Sequence, residues 1–245
     1  VEGTIAAASN NAVGIAGINW NSPVEMIDVV GGDSGDYDLV QATQALINGA
    51  GGKKLVINLS LSGGSSPAFE KLVADNKDKV LFVIAAGNQD QNTIASPASL
   101  AQTNNNVVAV GSSFGTKDWY GNPTTPGQRI SYAGWWGSNT GLGLTLMAPS
   151  EFVATSATRT DASATYEFGY YDSFNGTSAS TAVVTGIASL VWSVNPNLTA
   201  GQIKTILSET AYDLGAAGYD TVYGSGLVNA DAAVRRAEAL DRGFA

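Results

Sequence analysis

The chain has 245 residues, a mass of 25.1 kDa and a formal net charge of −9 at pH 7, with no cysteine and no histidine. This length suits one sizeable α/β domain, and no linker divides it. The 12 Lys and Arg residues against 21 Asp and Glu leave no basic face for phosphates, which argues against nucleic-acid binding. The lack of cysteine excludes disulfides, zinc–thiolate sites and thiol catalysis. No apolar run reaches the length of a membrane span.

Strands and helices are expected to alternate along the first half of the chain. The opening residues 1–8 have the pattern of a helix tail. Buried strands are predicted over residues 26–30, 54–59, 80–85 and 107–110, and helices over 38–48 and 67–76, the first capped by Asp38. Because each strand is apolar on both faces, the pattern predicts a parallel sheet covered by helices on both sides.

The second half begins with a long stretch rich in Gly, Ser, Thr and aromatic residues, 112–171, which predicts irregular connections and short edge strands. Residues 178–194 predict a helix that is apolar almost all round and therefore buried. Thr199 caps a further helix over 200–210, and residues 231–240 predict a terminal amphipathic helix.

Three short motifs stand where an open parallel sheet usually binds ligands, at the carboxyl ends of its strands. They are Ser-Leu-Ser-Gly at 60–63, Ala-Ala-Gly-Asn at 85–88 and Asn-Gly-Thr-Ser at 175–178. Ser178 opens the buried helix, so its own N–H is one of the unpaired donors at the helix N-terminus and can stabilise an oxyanion. Taken alone, each motif is better explained as an ordinary loop or turn than as part of a site.

Together and in this order, the motifs resemble the subtilisin-like serine proteases over nearly the whole chain. Six stretches share the resemblance: Val-Glu-Gly-Thr-Ile-Ala-Ala at 1–7, Val-Gly-Ile-Ala-Gly at 13–17, Val-Ile-Asn-Leu-Ser-Leu at 56–61, a Met-Ala-Pro turn at 147–149, 195–199 and 223–229. The resemblance implies a single peptidase domain over 1–245, a three-layer α/β/α sandwich with a central parallel sheet, and serine endopeptidase activity. The related sedolisins also use a Gly-Thr-Ser serine, but with an aspartate as oxyanion donor, so Asn88 favours the subtilisin-like family.

The resemblance makes Ser178 the nucleophile, and Asn88 with the Ser178 N–H the oxyanion donors. In this family the aspartate and histidine precede the serine, and the resemblance puts both upstream of Val1. Neither Glu2 nor any lysine offers a substitute base. We therefore expect a companion N-terminal fragment carrying Asp and His, without which this chain is inactive. The alternative is a pseudoprotease that binds extended peptides without turnover.

Polypeptide substrates are expected to pair as an extended strand with two edges. The resemblance assigns one edge to Leu61, Ser62 and Gly63 and the other to Ser34 and Gly35, for which a plain loop is the alternative. It further assigns Tyr37 to the pocket for the fourth residue before the cut. The primary pocket would be lined by Leu61, Ala85, Ala86 and Gly87. Because these residues are mostly small, the pocket would be roomy and apolar and would favour large uncharged side chains of the substrate.

Further expectations concern calcium, location and the start of the nucleophile helix. The stretch 9–13 resembles the family's calcium loop, with a structural ion on the Asn11 side chain and the carbonyls of Ser9, Val13 and Ile15, while the family's carboxylate ligand would lie upstream. An Asn-rich turn is the alternative. A secreted or cell-envelope location is expected, with an intracellular one as the alternative. Ala179, Ala182 and Val183 depart from the family's Met, Pro and His.

Overall fold

The computed structural model describes residues 1–29, 38–159 and 166–244. The helices are α1 (Glu2–Ala6), α2 (Leu39–Gly49), α3 (Pro67–Asp75), α4 (Thr177–Val194), α5 (Ala200–Glu209) and α6 (Ala230–Asp241), with a short 3₁₀ helix over Ala98–Gln102. The strands are β1 (Leu55–Leu59), β2 (Val80–Ala85), β3 (Val107–Ser113), β4 (Leu146–Pro149), β5 (Phe152–Arg159) and β6 (Tyr166–Phe174). Most of the predicted helices and strands are confirmed within a few residues at their ends.

Four strands form a parallel sheet in the order β1-β2-β3-β4. Runs of β-branched residues such as Val-Ile at 56–57 and Val-Val at 107–108 favour this pleated, doubly covered environment. Parallel pairing brings the carboxyl ends of all four strands to one edge. That edge carries the motifs at 60–63 and 85–88.

The two faces of the sheet bury alternate residues of the same strand. On β2, Leu81 and Val83 pack into a cluster with α4, α5 and α6, whereas Phe82 and Ile84 pack with Phe69 of α3 on the other face. The clusters are fully apolar, and the four β2 residues have no measurable exposure. The predicted three-layer α/β/α sandwich is confirmed.

Helix α4 lies in the centre of the first cluster. Its 18 residues have a mean hydropathy of 1.3, which by length and composition is enough to cross a membrane, so the expectation that no apolar run is that long was wrong. However, 67% of the helix is buried within the fold. That burial accounts for its apolar surface as a core helix packed on the sheet.

Two parts of the sequence-based prediction were wrong. The run 26–30 is not a strand over its described residues, and Met26 is 77% exposed. An apolar run becomes a strand only where a neighbouring strand pairs with it, and among the described residues β1 is the last strand on that side of the sheet. The stretch 112–171 is also more regular than expected, since it contains β4 in place of the Met-Ala-Pro turn, and β5 and most of β6, which pair with each other antiparallel.

Candidate active site

Ser178 is the second residue of α4, and the helix N-terminus faces the carboxyl edge of the sheet. Gly176 stands before the helix with φ 84° and supplies no side-chain cap. The N–H of the second residue of a helix has no acceptor within the helix, so the Ser178 N–H remains a donor towards the space in front of α4. Ser178 is half-buried, which leaves its hydroxyl accessible.

Two reciprocal hydrogen bonds attach Ser178 to the end of β1. Ser178 Oγ donates to Ser60 O at 3.2 Å, and Ser60 Oγ donates to Ser178 O at 2.9 Å. Behind them, Asn58 Nδ2 donates to Ser60 Oγ at 2.9 Å, and Thr185 Oγ1 donates to Asn58 Oδ1 at 3.0 Å. This chain of polar contacts fixes the position of Ser178 relative to the sheet. Asn58 and Ser60 lie in the stretches 56–61 and 60–63 that the sequence singled out, whereas Thr185 had no predicted role.

Asn88 caps α4 from the end of β2. Its Oδ1 accepts from Thr177 N at 2.8 Å and from Thr177 Oγ1 at 2.9 Å. Because both partners donate, the amide orientation follows from the network: the oxygen faces Thr177, and Nδ2 keeps its two protons for another acceptor. A Cβ on Gly176 would lie 3.1 Å from Nδ2, so glycine leaves room beside this donor.

The ends of β3 and β4 hold the same helix N-terminus. Ser112 Oγ and Ser180 Oγ lie 2.9 Å apart, Ser180 Oγ contacts Ala148 O at 2.8 Å, and Ser150 Oγ donates to Gly176 O at 3.2 Å. All four strand ends therefore contact the first turn of α4. Small hydroxyl side chains make these contacts over short distances.

The predicted primary-pocket residues Ala85, Ala86 and Gly87 lie together and are buried. Gly87 has φ 108°, and a Cβ there would lie 2.3 Å from Asn139 Nδ2. Asn139, which the sequence did not single out, shapes this wall, since its Oδ1 accepts from Gln89 N at 3.0 Å and Gln91 N at 3.1 Å.

Of the predicted substrate-pairing edges, one is described. Gly63 N already donates to Ser96 O at 3.2 Å, so the edge open to a peptide narrows to Leu61 and Ser62. Ser62 and Gly63 are exposed and Leu61 is half-buried, as an accessible edge requires. The other predicted edge and pocket residues, Ser34, Gly35 and Tyr37, lie outside the described residues.

The Ser178 hydroxyl hydrogen-bonds to a backbone carbonyl, that of Ser60, and not to a carboxylate. Glu151 follows Ser150, and both of its carboxylate oxygens accept from Tyr132 OH at 2.9 Å. Burial raises the pKa of Glu151 above its ordinary value. Its hydrogen bonds attach it to the aromatic residues around Tyr132, so it has no contact through which to orient or deprotonate the serine.

The predicted calcium loop is an exposed turn. Asn11 Oδ1 accepts from Val13 N at 3.1 Å, and the flanking Asn10 and Ala12 have φ of 60° and 58°. Calcium takes six to eight oxygen ligands, usually with carboxylates among them, and no group of three or more acidic residues, His or Cys suited to a metal occurs within the described ranges. By themselves these residues do not fit a calcium ion.

The sequence is similar to a known protein family and to known proteases. Residues 1–226 match the subtilase family. The extracellular protease of Xanthomonas campestris is 35% identical over 253 residues, which covers 97% of this chain and 39% of that protein. Subtilisin BL of Lederbergia lenta is 35% identical over 237 residues, which covers 96% of this chain and 76% of the relative.

A solved structure gives the same picture of the fold. A protease from Pseudoalteromonas arctica superimposes with a TM-score of 0.70 at 28% identity, covering 96% of this chain and 69% of that one. In each comparison nearly all of this chain is matched while part of the relative is not, and the chain spans well under half of the Xanthomonas protein.

Proposed function

Because the chain belongs to the subtilase family, we propose that it is the serine-bearing part of an endopeptidase that cleaves peptide bonds through an acyl-enzyme on Ser178. The observation that carries the proposal is the pair of donors beside that serine. Thr177 holds the oxygen of Asn88, so within the described part of the chain neither Asn88 Nδ2 nor the N–H of Ser178 has an acceptor. Two such donors suit the oxyanion of a tetrahedral intermediate.

In the proposed reaction, Ser178 Oγ attacks the scissile carbonyl carbon while a base removes its proton. The carbonyl oxygen gains negative charge and binds Asn88 Nδ2 and Ser178 N–H. The intermediate collapses to an acyl-enzyme as the proton passes to the leaving amine, and water then releases the acid by the same steps. The described residues supply the nucleophile and the oxyanion donors.

The base has to come from outside this chain. The sequence contains no histidine, and the hydrogen-bond partner of Ser178 Oγ is the carbonyl of Ser60, which cannot take up the proton at neutral pH. We therefore propose that a preceding segment or second chain supplies the aspartate and histidine. This chain alone is then expected to have no turnover.

A surface next to β1 suits such a companion segment. Among the described residues, β1 has a strand partner only on the β2 side. In the segment 18–26, Trp20, Val24 and Met26 are 59%, 41% and 77% exposed, and a groove of about 620 Å³ lies between residues 18–23 and α4, the helix that packs on β1. An extended apolar segment would bury these side chains and pair with the open edge of β1.

Substrates are proposed to be polypeptides bound in extended form along Leu61 and Ser62, because backbone pairing tolerates many sequences. The small buried walls at 85–87 favour a large uncharged side chain before the scissile bond. Secretion or the cell envelope is the proposed location, in line with the extracellular relative. Calcium at Asn11 belongs to the proposal only for the assembled protein, where a companion carboxylate would complete its ligands.

A non-catalytic peptide-binding protein is the second candidate. It is favoured by the lack of a base for the serine. Ser178 Oγ is hydrogen-bonded to a carbonyl, and the sequence contains no histidine. The two candidates share the substrate edge and differ in whether Ser178 is ever activated.

Labelling with a fluorophosphonate separates the two candidates, because this probe reacts only with an activated serine. The purified material is first analysed by intact mass and N-terminal sequencing under denaturing conditions. A companion peptide with Asp and His, together with label on Ser178, is the expected result. Ser178→Ala is the matched control and should abolish labelling.

If the 245-residue chain is found alone, a fragment of a relative that carries Asp and His is added before labelling. Label that appears only with the fragment supports the endopeptidase. A folded chain that binds the fragment, as judged by gel filtration, and remains unlabelled contradicts the endopeptidase and supports the peptide-binding protein.

A further inference from the structure

A second cavity, which we call the Lys204 cavity, lies at the opposite edge of the sheet from Ser178. It has a volume of about 450 Å³ and is lined by the end of the 3₁₀ helix, residues 142–145, α5 and the loop around Tyr219. Residues 103 and 142–145 immediately precede β3 and β4, so the cavity lies at the amino ends of these strands. A ligand there would not compete with a peptide at Ser178.

Lys204 is the one charged side chain among the residues lining this cavity. Its Nζ donates to Ala101 O at 2.9 Å and to Asn104 O at 3.2 Å. An ammonium group has three protons, so the third remains for a ligand. Burial lowers the pKa of Lys204 to about 8, and no acidic group contributes to that value. The ammonium is therefore a half-buried positive charge that has no counter-ion among the described residues.

The rest of the Lys204 cavity offers hydroxyl donors and apolar walls. Tyr219 OH accepts from Gly143 N at 3.0 Å, which leaves its own proton to donate. The hydroxyls of Ser208 and Ser225 have no partner within the described part of the chain. Leu142, which is 65% exposed, forms the apolar side at the mouth, whereas Leu144 is fully buried in the core behind it.

We propose that the Lys204 cavity binds a small organic carboxylate with an apolar body. One carboxylate oxygen accepts the third proton of Lys204 Nζ, the other accepts from the neighbouring hydroxyls, and the hydrocarbon packs on Leu142. A half-buried positive charge that is hydrogen-bonded only to carbonyls is costly, and an anion lowers that cost. A metal cation does not suit the cavity, because the carbonyl oxygens of Ala101 and Asn104 already accept hydrogen bonds from the Lys204 ammonium.

Such a carboxylate can belong to a free acid or to the C-terminus of a short peptide, and calorimetry distinguishes the two. The folded chain is titrated at pH 7 with 3-methylbutanoate and with 3-methylbutanamide, and separately with N-acetyl-leucyl-leucine and its C-terminal amide. We expect each acid to bind at least about tenfold more tightly than its amide, since a charge-assisted hydrogen bond is lost in the amide. The tighter of the two acids identifies the source.

Two variants test the contacts. Lys204→Met should weaken binding of the acid at least tenfold, whereas Lys53→Met, which removes an exposed lysine, should leave it unchanged. Leu142→Glu places a negative charge at an exposed mouth position and should weaken binding similarly without disturbing the core. Acids that bind no more tightly than their amides, or acid binding retained in Leu142→Glu and Lys204→Met, would overturn the proposal. Failure here leaves the proposal for Ser178 untouched, because the two sites are at opposite sheet edges.

Discussion

Ser60 and Ser178 hold each other through two hydrogen bonds, each hydroxyl donating to the other residue's backbone carbonyl, at 2.9 Å and 3.2 Å. The Ser60 hydroxyl also accepts from Asn58, so its removal leaves that amide short of a partner. We expect Ser60→Ala to lower the free energy of unfolding by about 1–2 kcal/mol. Urea denaturation of the purified chain measures this change.

The matched control for Ser60→Ala is Ser62→Ala, two residues along the same loop and exposed. It should change the free energy of unfolding by less than about 0.5 kcal/mol. An equal loss of unfolding free energy in both variants would mean that the hydrogen bonds of Ser60 make no specific contribution to stability.

Asn88 has two separable roles, because its oxygen caps α4 and its nitrogen is the proposed oxyanion donor. Asn88→Asp keeps the capping oxygen and removes the donor, so unfolding should change little. In the assembled enzyme this variant should lower kcat by the roughly 10²–10³-fold that loss of the side-chain oxyanion donor is known to cost in subtilisin. Steady-state kinetics on a peptide substrate measures the effect.

Asn88→Ala removes both roles and should also cost about 1 kcal/mol of stability, as the loss of a helix N-cap does. If Asn88→Asp were as active as the parent enzyme, Asn88 would be a structural cap with no part in catalysis.

Gly87 lies where no side chain fits. Its φ of 108° is a region that other residues avoid, and a Cβ would lie 2.3 Å from Asn139 Nδ2. Gly87→Ala should therefore lower the free energy of unfolding by about 2 kcal/mol or more. Gly115→Ala is the control, since no atom lies within 4 Å of its added Cβ and its φ is ordinary. Thermal unfolding followed by circular dichroism compares the two, and similar midpoints would contradict this account of the pocket wall.

The sheet and its covering helices were predictable because their signals are local. Runs of Val, Ile and Leu define β1, β2 and β3, and the polar cap Asp38 marks the start of α2. The run at 26–30 carries a similar local signal, but a strand also needs a neighbour, and the sequence of the run does not contain that information. The local sequence of such a run therefore indicates a strand, but it does not show whether a neighbouring strand is present to pair with it.

The site was predictable only in part. The motifs located Ser178 and Asn88, but the contact of Thr177 with Asn88 joins residues 89 positions apart. The same holds for Asn139, whose contacts with Gln89 and Gln91 depend on how two loops fold against each other. Such contacts depend on side-chain geometry across the fold, and no periodic pattern in a single sequence indicates them.

Lys204 gives a prediction about pH that needs no ligand. Burial lowers the pKa of Lys204 from 10.5 to about 8 in the folded chain, whereas the unfolded chain keeps the ordinary value. Between these two values the unfolded state binds more protons, so the free energy of unfolding should rise with pH, by up to about 3 kcal/mol from this residue. Below pH 8 both states are protonated, and the cost of burying the charge is fully present.

Lys204→Met cannot titrate, so the difference in unfolding free energy between the parent chain and this variant isolates Lys204 from other groups. Urea denaturation at pH 7 and at pH 10 should show the parent chain gaining stability relative to Lys204→Met as pH rises. Lys53→Met serves as the exposed control. A difference that stays constant with pH would mean that the buried ammonium is already compensated, which would also remove the physical basis for an anionic ligand in the Lys204 cavity.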